Sequence, residues 1–248
     1  MKVVYILCLR QLRRYFRARS RIIGSLGQPL LFLLAVGFGF GPTFQKAGGG
    51  DYIQFLAPGI ILMGILFTAV FSGIEIIWDR QFGFLKETLV APVSRLQIVL
   101  GRTLGGAVVA MIQGFIVMAI CLVAGFHIDN PAFFPIALFF MFLCAVMFTT
   151  LGTAIGSVLE DMQAFPLIMN FMVLPLFFFS GALFPLKNVP RALEIAVLLD
   201  PLTYGVDGLR GSLTGVSQFG FGMDFYILGI LTIILLGVGS YLFSRIQL

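Results

Sequence analysis

The side chains that could do chemistry are few and scattered along this sequence. P-loop nucleotide hydrolases need Gly-x-x-x-x-Gly-Lys followed by Ser or Thr, because backbone amides cradle the phosphates and the Lys reaches their outer oxygens. The chain has no Gly-Lys pair. Its single histidine, His127, has only Asp129 nearby, and its cysteines, Cys8, Cys121 and Cys144, lack metal-ligand spacing. We therefore expect no catalytic residue, metal site or cofactor site in this chain.

The composition indicates a protein whose solvent is lipid. Hydrophobic residues make up 59% of the 248 residues and charged residues 11%, with a mean hydropathy of +1.05. Soluble domains have about 45–50% apolar and about 25% charged residues. A helix needs about 20 apolar residues to cross a bilayer. Six segments are long enough, namely 22–40, 53–77, 98–126, 133–159, 165–184 and 225–243. The sequence predicts one all-α integral membrane domain over residues 1–248, without a soluble catalytic domain.

Glu75 is the one acid clearly within an apolar segment. It lies about one helical turn before Trp78, a residue type typical of membrane boundaries. We interpret Glu75 as a solvated or snorkelling residue at such a boundary. A secondary transporter or channel would place ionisable residues near the bilayer centre, and a lipid-modifying enzyme would need a catalytic cluster. Both classes stay open as alternatives, although the sequence offers little for either.

Residues 1–21 predict an amphipathic helix ahead of the first apolar segment. Apolar side chains repeat along one face and arginines along the opposite face. The apolar set is Tyr5, Leu9, Leu12 and Phe16, and the arginines are Arg10, Arg13, Arg14 and Arg17. We predict an interfacial helix along the membrane, with anionic lipid head groups rather than nucleic acid as the partner of its cations. The alternative is a solvated helix end that only sets orientation.

The distribution of cations predicts that both termini are cytoplasmic. With the amino terminus inside, seven cations in residues 1–21, four between the second and third spans and Arg245 lie in the cytoplasm. These are twelve of the sixteen Lys and Arg residues. Positively charged residues favour the cytoplasmic side, so the count supports this orientation in a cytoplasmic (inner) membrane.

The stretch 185–224 would then lie outside, and it is too polar to be a span. Its apolar piece, 192–199, is too short to cross a bilayer and is followed by Asp200 and Pro201. An interrupted apolar piece of this kind favours an external re-entrant hairpin before the last span.

Two glycine pairs predict close contacts between helices. Gly101-x-x-x-Gly105 and Gly152-x-x-x-Gly156 place small residues on one face of a helix. Small residues at this spacing let two helix backbones approach each other in lipid. We expect each pair to mark such a contact.

The loop 78–97 between the second and third spans has an unusual content. Charged residues alternate there with apolar ones, so a short helix would expose apolar side chains beyond those that contact the membrane. The charged residues are Asp79, Arg80, Lys86, Glu87 and Arg95, and the apolar ones are Phe82, Phe84, Leu85, Leu89 and Val90. Such a surface suits docking into a groove on a partner protein. Pro92 ends this helix, and Ser94 is placed to cap the next one.

Two motifs carry a resemblance to a known family. Phe84-Leu85-Lys86-Glu87, followed by Leu89-Val90-Ala91-Pro92-Val93-Ser94-Arg95 and Gly101-Arg102, resembles the loop after the second span of type-2 ABC exporter permeases. The stretch from Asp200 to Arg210, Asp-Pro-Leu-Thr-Tyr-Gly-Val-Asp-Gly-Leu-Arg, is similar to the family's Asn-Pro-Leu-Thr-Tyr motif, with Asp in place of Asn. The likeness extends along most of the chain.

The resemblance implies the layout just described and a set of partners. Two permease chains, expected to be identical, would meet two separate ATPase subunits that bind ATP and Mg, and the complex would export a drug-like, amphiphilic or lipid-linked glycan substrate. The coupling residues would be Asp79, Arg80, Phe84, Leu85, Lys86, Glu87, Leu89, Pro92 and Arg95. Residues 10–21 would lie against the same ATPase subunit, with Glu160 and Asp161 as weaker contacts. The external hairpin would contain Asp200, Pro201, Tyr204, Asp207 and Arg210.

Overall fold

The described part of the chain is all-helical. The computed structural model describes residues 2–46, 50–85, 88, 93–186 and 190–245, and this part contains helices and turns without a strand. The helices are α1 (Lys2–Arg17), α2 (Arg19–Lys46), α3 (Tyr52–Phe71), α4 (Ile74–Gln81), α5 (Arg95–Val123), α6 (Phe134–Val158), α7 (Ala164–Phe179), α8 (Arg191–Leu199), α9 (Pro201–Thr214) and α10 (Phe221–Ser244). In lipid a helix satisfies all its own backbone groups, which accounts for this architecture.

Five helices of the described part are long and apolar enough to cross a membrane. They are α2, α3 together with α4, α5, α6 with the short 3₁₀ turn Pro131–Phe133, and α10. The apolar helix α7 is shorter, at 16 residues. The chain is therefore an integral membrane protein, as the composition predicted.

The amino-terminal helix ends earlier than the sequence pattern indicated. α1 stops at Arg17, and the non-helical backbone of Ala18 (φ −92°, ψ 67°) separates it from α2, which starts at Arg19. α2 contains a π-helical stretch, Leu33–Phe38. At the end of the second apolar segment, α4 continues to Gln81 and takes in the first residues of the predicted loop 78–97.

Side-chain caps define where several helices begin. The Asp51 carboxylate accepts a hydrogen bond from the Ile53 N–H at 2.9 Å, and Ser94 Oγ accepts one from the Gln97 N–H at 3.3 Å. The predicted cap at Ser94 is thus confirmed. Such caps satisfy backbone donors that have no partner within the helix.

α3 forms the centre of the bundle. Its residues Leu56, Ile60 and Met63 have no exposed surface, and the helix packs against α5, α6 and α9. α2 and α10 are much less buried and present apolar side chains outward. The bundle therefore has an apolar, buried core and an apolar outer surface.

Both predicted glycine contacts are confirmed. A Cβ at Gly152 would overlap the carbonyl oxygen of Val70, and a Cβ at Gly156 would overlap that of Gly73, so α6 meets the α3–α4 junction backbone to backbone. A Cβ at Gly101 would lie 3.0 Å from the Leu7 side chain and 3.2 Å from the Val4 Cα, so α5 receives α1 closely at this glycine. Without side chains at these positions the helices can approach closely.

α8 and α9 form the segment before the last helix. They are nine and 14 residues long, shorter than the roughly 20 residues of a crossing helix. α9 is buried along nearly its whole length against α3, α6 and α10. Gly215 ends it in the left-handed conformation, at φ 75°.

Candidate functional site

α1 runs beside the first half of α5 and is held there by a face that the sequence pattern did not reveal. Leu7 and Tyr15 are 8% and 3% exposed, and Leu7 packs on Gly101. The Tyr15 hydroxyl donates a 2.6 Å hydrogen bond to the buried Gln113 side chain. This face lies between the apolar and the cationic faces of α1. One face of the helix therefore packs against α5, and the other two remain available for other contacts.

A cluster of charged side chains joins α1, α4 and α5. The Asp79 carboxylate is 5% exposed, pairs with Arg10 at 2.9 Å and also accepts a hydrogen bond from Arg102. Arg102 itself is 4% exposed. Buried charges need partners of opposite sign, and here each one has such a partner. We call Arg10, Arg14, Arg21, Glu75, Asp79 and Arg102 the charge cluster.

Glu75 belongs to this cluster, so it is buried and paired rather than solvated, and its place at a membrane boundary stays a prediction. The residue is 8% exposed, and its carboxylate pairs with Arg21 at 2.9 Å. Arg14 lies 3.9 Å from both Glu75 and Asp79. The partner arginines come from residues more than 50 positions earlier in the chain, which explains why a local pattern did not reveal them.

Aromatic rings surround the cluster and complete a groove between α1 and α4. The Arg10 guanidinium lies 3.7 Å from the centre of the Phe84 ring, and that of Arg14 lies 5.0 Å from Trp78. The groove has a volume of about 870 Å³ and is lined by Ile6, Leu9, Arg10, Arg13, Arg14, Arg17, Ala18, Trp78, Asp79, Phe82 and Phe84. Arg13 and Arg17 are exposed there.

The structure separates the predicted coupling residues into several environments. Leu85 has no exposed surface and packs in a small core with Leu7, Ile98 and Phe243, so its side chain supports the loop from within. Phe82, by contrast, is 80% exposed. Four further predicted residues, Lys86, Glu87, Leu89 and Pro92, lie outside the described residues.

The second loop, between α6 and α7, lies against the end of α4. Arg80 donates a 2.8 Å hydrogen bond to the Ser157 carbonyl and lies 3.6 Å from the exposed Glu160 carboxylate. Asp161 caps the next turn by accepting from the Gln163 N–H at 2.8 Å. Arg95 donates to the carbonyl of Ser244, at the end of α10. The two loops that the sequence singled out are therefore neighbours.

The residues predicted for the external hairpin hold that segment together. Asp200 caps α9, which begins with Pro201, by accepting from the Leu202 N–H at 2.9 Å, and burial raises the pKa of its carboxyl to about 8. The Tyr204 hydroxyl donates to the Leu198 carbonyl at 2.9 Å, which ties α9 to α8. The Asp207 carboxylate accepts from the hydroxyl of Ser217 and from the next two backbone amides.

Arg210 anchors the same segment to two other elements. Its guanidinium donates to the carbonyl oxygens of Phe55 and Gly181, and it lies 4.0 Å from the centre of the Phe55 ring. These contacts are all within one chain. In the described part of the chain these contacts indicate a structural role for Asp200, Tyr204, Asp207 and Arg210.

Comparison with known proteins identifies the family. The family described as ABC-2 type transporter matches residues 2–214. This chain belongs to the ABC-2 type transporter family. The resemblance seen in the two motifs is thereby confirmed, and the matched range includes the charge cluster, both loops and the helices α8 and α9.

Individual relatives of this ABC-2 permease agree with the assignment. Transport permease ycf38 of Cyanophora paradoxa is 31% identical over 214 residues, which cover 84% of this chain and 72% of that protein. Nodulation protein J of Rhizobium leguminosarum bv. trifolii is 26% identical over 200 residues, 80% and 76% of the two chains. Inner membrane transport permease YadH of Escherichia coli strain K12 is 26% identical over 219 residues, 88% and 83%. The chain is a multi-pass ABC-2 permease of the inner membrane.

Proposed function

We propose that this chain is the membrane-spanning subunit of an ATP-driven exporter that moves an amphiphilic, drug-like or lipid-linked glycan substrate out of the cytoplasm. The observation that carries the proposal is the family match over residues 2–214. A separate ATPase subunit binds ATP and Mg and supplies the energy. This chain contributes the pathway and no catalytic residue.

Six spans with both termini in the cytoplasm fit the helices and the cations. The five long apolar helices supply five crossings, and α7, of 16 residues, supplies the sixth. A helix of that length is about 24 Å long, and the following turn completes the crossing of a hydrocarbon layer of about 30 Å. Residues 185–224 then form the external re-entrant hairpin.

The loop after α4 transmits motion from the ATPase. Phe84 of this loop stacks on Arg10 of α1, and Arg80 at the end of α4 binds the end of α6. A push on the loop therefore reaches α1 and α6 at once. The contacts at Arg80 and Glu160 support a role for the second loop in the same junction.

Two copies of the permease and two ATPase subunits form the complex. The outer faces of α2 and α7 support a contact between permeases, because Leu31 is 67% and Phe171 82% exposed. Beside these faces lies a cavity of about 410 Å³ whose lining includes the polar residues Ser25, Gln28 and Asn170. A polar cavity next to a subunit contact fits a pathway that the two chains share.

Purification from native membranes tests the proposal. We expect an ATP-binding subunit to co-purify with the tagged chain in mild detergent, and Leu89→Ala and Pro92→Ala to release it by removing docking contacts. Leu193→Ala, on the exposed surface of α8, is the matched control and should retain the subunit. A preparation of this chain alone, under conditions that preserve a known complex, would favour a secondary transporter instead.

A further inference from the structure

The groove between α1 and α4 combines cations with apolar side chains. Four arginines line it, and Asp79 is the single acid among its described lining residues. Asp79 is already engaged by Arg10 and by the buried Arg102. The negative charge within the groove is therefore neutralised by Arg10, which lines the groove, and by Arg102, which does not.

Three of the lining arginines leave positive charge to spare. Arg14 is 3.9 Å from its nearest carboxylate oxygens. Arg13 and Arg17 are exposed, one helical turn apart, and form no ion pair with any described residue. Residues four positions apart lie side by side on a helix, so these two cations point in a common direction. Their placement suits an anion with several acceptor oxygens, such as a phosphate.

The same surface is also apolar. Ile6 and Phe82, at its rim, are 61% and 80% exposed, and Tyr5 and Phe16 on α1 are 68% and 58% exposed. An acidic protein surface would satisfy the arginines and leave these side chains in water. A molecule with a phosphate and a hydrocarbon chain would satisfy both. Arg and Trp residues beside a long apolar helix are, moreover, typical of a membrane boundary, where such molecules are concentrated.

We propose that this groove binds an anionic phospholipid, with the head-group phosphate at Arg13, Arg14 and Arg17 and the acyl chain along Ile6 and Phe82. That this lipid lies in the cytoplasmic leaflet rests on the orientation given under the proposed function. The existence of the binding site does not depend on that orientation. The bound lipid fills the space between α1 and the start of the loop 78–97 and holds the two elements together.

The single tryptophan of the chain reports on this groove. Trp78 lines it and lies beneath Arg14. Bromine atoms on an acyl chain quench tryptophan fluorescence at short range, so quenching measures which lipid is next to Trp78. The full chain is reconstituted in equimolar phosphatidylglycerol and phosphatidylcholine, with the brominated chains carried first by one lipid and then by the other.

We expect brominated phosphatidylglycerol to be the stronger quencher. Each basic residue near an anionic membrane surface contributes about 1 kcal/mol, so the groove should prefer phosphatidylglycerol over phosphatidylcholine by about fivefold or more. Arg13→Gln combined with Arg17→Gln should abolish the preference without unfolding the chain, because neither residue pairs with a described carboxylate. Arg19→Gln, which removes one positive charge just outside the groove, should keep it.

Three results would overturn the inference. The first is equal quenching by the two lipids in the unmodified protein, and the second is a preference that survives the loss of Arg13 and Arg17. The third is recovery of fluorescence on addition of inorganic phosphate alone, which would assign the groove to a free anion. Since no ATPase subunit is present in the vesicles, these results are independent of whether the chain co-purifies with one.

Discussion

Asp79 is the residue at which three helices are joined. It belongs to α4, and it binds Arg10 of α1 and Arg102 of α5. Taking these charges out of water is unfavourable, and the pairing offsets that penalty only while all partners are present. The side chain therefore acts as a joint whose removal leaves a buried cation behind.

Asp79→Asn should destabilise the protein strongly. The variant keeps the size of the side chain but leaves Arg102 buried without a counter-charge, which costs about 3–5 kcal/mol of unfolding free energy. Thermal unfolding in detergent measures the effect, with Glu194→Gln on the exposed surface of α8 as the control. Arg102→Met should restore part of the loss in the double variant. Equal unfolding temperatures for Asp79→Asn and the unmodified chain would show that the joint contributes nothing.

Asp200 predicts a dependence of stability on pH. Its pKa is raised by burial from its ordinary value of 3.8 to about 8 in the folded protein. Between these values the unfolded chain releases the proton and the folded chain keeps it, so stability falls as pH rises and levels off above about 8.

Asp200→Asn should flatten this dependence, because an amide keeps the cap on α9 and does not titrate. Unfolding temperatures in detergent at pH 5 and pH 8 test the prediction. The unmodified protein should lose more stability than the variant between the two. Parallel profiles would mean that Asp200 is ionised in the folded state. The variant also restores the Asn of the family motif that this chain resembles.

At the scale of elements, glycine decides how the helices meet. α6 touches the α3–α4 junction through Gly152, Gly156 and Gly73, where backbone lies on backbone. Since lipid gives no hydrophobic driving force between helices, close packing of this kind supplies much of the attraction.

Gly152→Ala should push α6 away from α3. The new Cβ has no room against the Val70 carbonyl, so the helices must separate, and overpacking of this kind costs about 1–3 kcal/mol. Gly229→Ala in α10, where nothing lies within 4 Å, is the control and should be neutral or better. The unfolding temperature in detergent compares the two. A Gly152→Ala variant as stable as the control would contradict the contact.

Local sequence patterns were sufficient for the elements but not for the charge cluster. Hydropathy predicted the long helices, small residues predicted their closest contacts, and Ser94 predicted a helix start. The pairs that build the cluster join residues 54 and 69 positions apart, as in Glu75 with Arg21 and Asp79 with Arg10. Neither pair follows a helical period. The sequence therefore predicted lipid head groups as the partners of the α1 arginines, and a solvated or snorkelling position for Glu75.

For the whole molecule, the family could be predicted from two short motifs, and the neighbourhood of the two loops could not. The motif residues are contiguous in sequence and readable there. The contact of Arg80 with Ser157 depends on the crossing of α4 and α6, which only the assembled bundle defines. The functional roles of the coupling residues stay predictions.

Arg95→Gln and Glu87→Gln should uncouple the complex without preventing insertion. We propose that the charges of the loop 78–97 set the orientation of docking, so their loss should leave the bundle intact and weaken the link between ATP hydrolysis and transport. ATPase activity and substrate export are compared in vesicles that contain both subunits, with Arg191→Gln on α8 as the control. Failure of either variant to reach the membrane would instead assign the residue to folding.

The salt bridges between α1 and α4 can form only after both helices have been synthesised. Six arginines emerge from the ribosome within residues 1–21, whereas Glu75 and Asp79 emerge only near the end of the second long apolar segment. During that interval the arginines are uncompensated and can act on the orientation of the first helix. Once α4 arrives, two of its acids neutralise part of that charge and draw α1 against α5. If the amino terminus is cytoplasmic, as we propose, the same residues act first as a topology signal in the nascent chain and then hold α1 in place in the folded protein.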